Sequence, residues 1–328
     1  MNRVIFIFLA LVLAACSVPT PTLAPTVVPP TATLQSQVAA SAPTTNVGAI
    51  LTVTAPRPKN TAPAPTVAGV PPAKPSGALV VAHRGGAALM PENTLAAFEH
   101  ALKLGVDQVE TDVHLSKDGA VVIMHDPNVA TTTNGNGAIS DLTLAELEKL
   151  NAAAKNAKGG VAQQKVPTLA EVLDLVKGKA DIQIEIKVGV GGARYPGIEK
   201  KVIDLLAARG MTSNAIIISF DFPTLKEVKQ IDARIQTGAI VDARWFATRL
   251  TASPEQIVSE IIETTGADFF MPTSTTVTEP LVRAVHTRRL KIGTWTVNTA
   301  GEMKRLADWG VDGITTNYPD VLKGVLGK

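Results

Sequence analysis

Val109-Glu110-Thr111-Asp112-Val113-His114-Leu115-Ser116-Lys117-Asp118-Gly119-Ala120-Val121-Val122-Ile123-Met124-His125-Asp126 reads as a strand, a tight turn and a returning strand. Glu110 and Asp112 are two residues apart, so on an extended chain both carboxylates leave the same face, roughly 7 Å apart along the backbone. Lys117-Asp118-Gly119 carries turn chemistry, with Gly119 free to take the positive φ that such a bend needs. Folding back about Asp118 sets Met124 opposite Asp112 and brings His125 beside the acids. Two carboxylates and an imidazole in one short span suit metal binding and proton transfer.

Outward from this hairpin, short β-rich runs alternate with amphipathic helical stretches, the pattern of a parallel sheet in an α/β fold. Strands are expected near Leu79 to Ala82, Asp107 to Val113, Ile182 to Lys187, Ala215 to Phe220, Arg234 to Ile240, Ala267 to Met271, Lys291 to Val297 and Gly313 to Thr316. Val121 to Met124 follows its predecessor after only a turn. A parallel partner needs a dozen or more linking residues, so this run is a hairpin excursion. Setting it aside leaves eight βα units, a (β/α)8 barrel, with a doubly wound open sheet as the alternative. Asn93 or Thr94 caps the first helix and Gly105 stops it, while Thr143 and Thr168 each precede a Glu and an apolar stripe. Further helices are expected near Ile198 to Arg209, Pro223 to Gln230, Pro254 to Thr265, Glu279 to Arg289, Ala300 to Trp309 and Pro319 to Leu326.

The first 76 residues are unlike the rest. Val4 to Leu13 is apolar, follows Arg3 and ends in Leu13-Ala14-Ala15-Cys16, an export leader too short to span a bilayer. The stretch resembles a bacterial lipobox, with residues 1–15 removed and Cys16 lipidated. It is the only cysteine among 328 residues, so no internal disulfide can form. Ser17 to Ser76 holds 13 of the 22 prolines and is rich in Thr and Ala. Such composition cannot bury a core and predicts a disordered tether, residues 16–76 including the cysteine. Together these features predict an exported domain, residues 77–328, held by lipid on the extracytoplasmic side of a membrane. That domain carries 27 Lys and Arg against 29 Asp and Glu, a net charge near −2, which gives no support for nucleic-acid binding.

In such barrels chemistry gathers where strands end. Those ends offer His83-Arg84-Gly85, Glu110 with Asp112, Glu185 with Lys187, Ser219-Phe220-Asp221, and Trp295 with Asn298. Glu110, Asp112 and Glu185 are three inward carboxylates whose crowding is relieved by one hard divalent ion, Ca²⁺ or Mg²⁺. A salt-bridge network with Arg84 and Lys187 is the other reading. His83 and His125 reach the same rim and suit general acid–base work on an anion. His114 sits further out on the hairpin, in a solvated or substrate-rim position. His100 and His286 are expected at the surface or a helix end. Trp295 is either core or a wall for the substrate's organic part. Arg244, Trp245 and Phe246 form either a lid or a packed loop.

These motifs, with Pro91-Glu92-Asn93-Thr94, His125-Asp126-Pro127, Pro167-Thr168-Leu169, Trp295-Thr296-Val297-Asn298 and Gly310-Val311-Asp312-Gly313, resemble the glycerophosphodiester phosphodiesterases from about Val80 to Pro319. The resemblance implies the same barrel and hydrolysis of a glycerophosphodiester to an alcohol and glycerol 3-phosphate. It implies His83 and His125 as the acid–base pair, Glu110, Asp112 and Glu185 as metal ligands, and Arg84 and Lys187 on the phosphate. A lysophospholipase-D-like activity on the same barrel, or a two-lobed solute-binding lipoprotein, are the rivals. Thr131, Asn317 and Thr111 depart from the family pattern, standing where Arg, Asp and an aliphatic residue are usual.

Overall fold

The computed structural model describes residues 77–328; the expected leader, Cys16 and tether lie outside the described residues. Nine strands form one sheet: β1 (Leu79–Ala82), β2 (Gln108–Leu115), β3 (Val121–Ile123), β4 (Asp181–Ile186), β5 (Ala215–Ser219), β6 (Gln236–Val241), β7 (Phe269–Pro272), β8 (Lys291–Thr294) and β9 (Gly313–Thr316). All neighbours are parallel except β2 and β3, and β1 pairs with both β9 and β2. The eight parallel strands therefore close into a barrel, which excludes the open doubly wound sheet. The limits of β1 and β9 match the expected ones and the others differ by at most two residues, except that β8 stops at Thr294, three short of Val297.

The longest strand explains the hairpin. β2 has eight residues, and its last three, Val113 to Leu115, pair antiparallel with β3 beyond the barrel wall. Val113 faces Ile123, and the Met124 amide donates to the Asp112 carbonyl at 3.1 Å, the register expected from a turn at Asp118. Met124 and Val122 anchor a small second core with Val129, Ile139, Leu147 and Val166. The residues between the hairpin and β4 thus pack under the segment that carries His125.

Helices α1 (Leu95–Leu104), α2 (Leu144–Leu147), α3 (Leu169–Val176), α4 (Ile198–Arg209), α5 (Phe222–Ile231), α6 (Ala243–Ala247), α7 (Pro254–Thr265), α8 (Glu279–Thr287), α9 (Ala300–Asp308) and α10 (Pro319–Leu326) fill the connections. Thr143 and Thr168 each make a full capping box with Glu146 and Glu171, contributing about 1 kcal/mol apiece. The main core lies between the sheet and these helices, with Phe98, Ile184, Leu206 and Phe270 fully buried. Trp245 and Phe246 stack edge-on and join that core against Phe270, so α6 is a packed segment, not a lid. Among the described residues no helix is long and apolar enough to cross a membrane.

Inside the barrel the two halves differ. β5, β6 and β7 contribute Ile216, Ile218, Ile240, Phe269 and Met271. β2 and β4 contribute Gln108, Glu110, Asp112, Gln183 and Glu185, all buried. The asymmetry gives one charged wall facing one apolar wall, and the candidate site sits at their top.

Candidate active site

β1 ends in a strained turn. Arg84, Gly85 and Gly86 take φ values of 50°, 81° and 95° in succession. A Cβ on Gly85 would lie 2.7 Å from that of Ala97, so only glycine lets α1 approach this closely. The turn aims the Arg84 amide at Glu110 Oε2 (2.9 Å) and its guanidinium at Glu92 (2.8 Å) and Asp112 (3.4 Å). Arg84 is a non-glycine residue in the left-handed region, a strain typical of functional turns.

Asp112 and Glu185 are direct cross-strand partners on β2 and β4, and Glu110 shares their face. Oxygens of the three carboxylates lie within 4.8 Å of one another. Lys187, just past β4, reaches Glu185 at 2.8 Å and Asp112 at 3.5 Å. Two cations thus serve four acids, Glu92 included, leaving this buried group two negative charges in excess. The salt-bridge reading accounts for two of the four acids; with all four ionised, a divalent cation could neutralise the other two. The all-oxygen donor set fits a hard ion.

Electrostatics agree. Burial, then the charges of Asp112 and Glu185, push the Glu110 carboxyl well above its usual range. Burial likewise raises Glu185 to about 7 despite Lys187. Burial also opposes ionisation of Asp112, but Lys187, Arg84 and the Asn93 amide outweigh it and hold that carboxyl low. A site whose own cations do not keep all three acids ionised could take a further positive charge.

His83 and His125 line one cavity of about 150 Å³ with Glu110 and Glu185. His83 Nδ1 donates to Asn317 Oδ1 at 2.6 Å, which leaves Nε2 unprotonated, 3.9 Å from Glu110 Oε2. Burial and then Arg84 push its pKa down to about 4. His125 Nδ1 instead bonds the Asp126 carboxylate at 2.7 Å. Phe220 and Trp295 meet edge to face, with centroids 5.3 Å apart, on the apolar side of the same cavity, and Trp295 also packs against the apolar cluster of β5, β6 and β7.

Three side chains carry more than their sequence reading. Thr94 is the cap of α1, accepting from the Ala97 amide, which frees Asn93, at φ 55°, to donate to Asp112 Oδ2 at 2.8 Å. Thr111 donates to Asn93 Oδ1 at 3.1 Å, so its hydroxyl fixes the amide's orientation. His114 corrects the expectation of a solvated or rim residue. It is fully buried, its Nε2 bonds the His125 carbonyl (3.1 Å) and its Nδ1 bonds the Tyr195 hydroxyl (2.9 Å). The β3 pairing turns that face of β2 inward, under the segment carrying His125. His286 is half-exposed on Asp312, and His100 is half-exposed on α1.

Residues 83–321 match the glycerophosphoryl diester phosphodiesterase family, and the chain belongs to it. A glycerophosphodiester phosphodiesterase of Caldanaerobacter subterraneus is 35% identical over 255 residues, 76% of this chain and 98% of that one. A lysophospholipase D of Rattus norvegicus is 30% identical over 273 residues, 75% of this chain and 85% of that protein. The structure of an Oleispira antarctica phosphodiesterase in complex with the product sn-glycerol-3-phosphate superposes with a TM-score of 0.66 at 26% identity, covering 77% of this chain and 98% of that one. The chain is therefore a phosphoric diester hydrolase acting on glycerophosphodiesters, and the two-lobed solute-binding alternative falls away.

Proposed function

We propose that the enzyme cleaves glycerophosphodiesters to an alcohol and sn-glycerol 3-phosphate, with His83 and His125 as its proton-transfer pair. The observation that carries this is the meeting of two imidazoles with Glu110 and Glu185 around one small cavity, Asp112 lying within 4.8 Å of those carboxylates. Glu110, Asp112 and Glu185 would hold Ca²⁺ or Mg²⁺, which when bound would offset charge on the phosphate oxygens. Arg84 and Lys187, already drawn toward Asp112, add fixed positive charge beside that phosphate. His83, whose partner Asn317 is neutral and whose Nε2 is unprotonated, acts as the base that takes a proton from the attacking hydroxyl. His125, backed by the Asp126 carboxylate that stabilises an imidazolium, acts as the acid that protonates the leaving alcohol. The attacking hydroxyl is the glycerol 2-OH, giving a cyclic phosphate that water opens, or water itself. Phe220 and Trp295 flank the organic part of the substrate.

The deciding assay is release of glycerol 3-phosphate from glycerophosphocholine with added Ca²⁺, added Mg²⁺ or chelator. No release with any ion would sink the reading. A second reading, removal of the headgroup from a lysophospholipid, is favoured by the rat relative and by exposed Val190, Phe220, Leu250 and Tyr318, all in connections that follow strands. Turnover of lysophosphatidylcholine faster than glycerophosphocholine would select it. The chain is further proposed to be an exported lipoprotein, on the strength of Leu13-Ala14-Ala15-Cys16 and the Pro-rich stretch. Cys16→Ser should move it from the membrane fraction to the soluble one.

A further inference from the structure

Barrel interiors of this type are ordinarily filled by layers of bulky branched side chains. Directly below the carboxylates this barrel breaks that pattern. Gln108 and Gln183 lie two residues before Glu110 and Glu185 on the same inward faces, and Gln183 Nε2 donates to Gln108 Oε1 at 2.7 Å. Gln183 is only 4% exposed, yet its Oε1 has no partner within the protein. A buried amide oxygen left unpaired costs about 1–3 kcal/mol, so Gln183 Oε1 is an acceptor open to a hydrogen-bond donor.

A cavity of about 260 Å³ occupies the floor of the barrel, bordered by Gln108, Gln183, Gly293 and Gly313, and its edge at Gly77 and Lys291 is exposed. Two residues, Gln183 and Met271, line both this cavity and the catalytic one above it. Met271 owes its position to glycines: a Cβ on Gly238 would stand 2.6 Å from its Sδ, and one on Gly293 3.2 Å from its Cε. An amide and a flexible thioether thus border both the floor and the active site, beside the buried Ile216, Ile218 and Ile240.

We propose that the barrel axis is a water conduit: water fills the floor cavity, bonds Gln183 Oε1 and passes Met271 to reach the catalytic pocket while substrate covers the mouth. The site is polar and roomy enough for ordered water. Its role rests on the hydrolase reading above. Each turnover consumes one water, whose oxygen ends on phosphorus. In direct attack the bond to the leaving alcohol breaks and that alcohol takes one of the water's protons. In the cyclic route the alcohol has already left with the 2-OH proton, so the water breaks the bond to the glycerol 2-oxygen and returns a proton to it. A 150 Å³ pocket occupied by a diester has little room for a reservoir on the substrate side.

The test uses the full chain with the floor filled. A Cβ at Gly313 would meet nothing nearer than Val81 Cγ2 at 3.8 Å, so Gly313→Leu can enter the cavity without touching a catalytic group. Leu79→Phe fills the same space from the neighbouring strand, should the first variant fail to fold. With melting temperature and circular dichroism unchanged, kcat on glycerophosphocholine should fall about tenfold while KM stays within about twofold. Crystals of the wild type should show water within hydrogen-bond reach of Gln183 Oε1, lost in the filled variant. Full turnover with the floor filled, or a dry Gln183 in the wild type, overturns the conduit. A wild type inert toward every glycerophosphodiester sinks the hydrolase reading instead, and the conduit is then judged by the water at Gln183 alone.

Discussion

Asn93 donates its side-chain amide to Asp112 Oδ2, and Thr111, the residue preceding Asp112, holds the other end of that amide. The three side chains are buried, so their geometry is fixed by packing and not by solvent. Partners of this kind orient ligating carboxylates, and removing one typically costs 10–100-fold. For the proposed cation site, Asn93→Ala should therefore raise the half-saturating cation concentration by about 10–100-fold, read from activity against metal concentration. Thr111→Val, which keeps the shape but drops the hydroxyl, should give a smaller loss in the same direction. An unchanged metal requirement in both would deny Asn93 this role.

His125→Ala should lower turnover at least about 10²-fold, the scale of a lost proton donor. The loss should shrink for substrates whose leaving alcohol is acidic, such as a nitrophenyl ester, since these leave without protonation. His83→Ala should be equally damaging on both kinds of substrate. Equal sensitivity of both variants to the leaving group would contradict the division of labour between the two imidazoles.

Cation binding should release protons. Glu110 and Glu185 are held in part protonated by burial and by neighbouring carboxylates, Glu185 with a pKa of about 7. A bound cation must displace those protons, so apparent affinity should fall as pH drops below 7 and rise above it. Calorimetric titration in buffers of different ionisation enthalpy measures the released protons directly. A pH-independent affinity between pH 6 and 8 would contradict the raised carboxyls.

Asn317 gives His83 a neutral partner. Asn317→Asp places a carboxylate on Nδ1 and should raise the His83 pKa from its depressed value of about 4. A base must be unprotonated to act, so the acidic limb of kcat/KM should move to higher pH and activity at low pH should drop. Stopped catalysis across the whole pH range, with no moved limb, would argue that Asn317 does more than orient the ring.

His114 links pH to stability. Burial lowers its pKa to about 4 in the folded chain, against 6.5 for the free side chain. Between those values the unfolded chain binds more protons. The contribution of neutral His114 is therefore complete above about pH 6.5 and is lost progressively as pH falls toward 4. Melting temperature should decline over that window in the metal-free protein. His114→Gln should flatten the decline, and an unaltered slope would show that other groups control it.

The sequence carried the strand count, most helix limits to within two residues, and the positions of the charged and titrating groups at the strand ends. Alternation in β2, turn residues at Asp118-Gly119 and capping boxes at Thr143 and Thr168 are local devices, and local devices are legible. Asn93 was less so: beside Thr94 it reads as one of two interchangeable caps, and a φ of 55° on a non-glycine residue is not written in the order of residues. His114 was misread because alternation along β2 says which side it faces but not what later covers that side. Its cover is Tyr195, 81 residues away.

What the chain order alone determined is the set of chemical groups and the strand ends that deliver them, since both follow from periods of two and 3.6 residues. What only the tertiary structure decided is pairing across long gaps: His83 with Asn317, 234 residues apart, and Gln183 and Met271 between two cavities. Barrel closure brings β1 and β9 together, and until it does no local rule says which residue will lie against which.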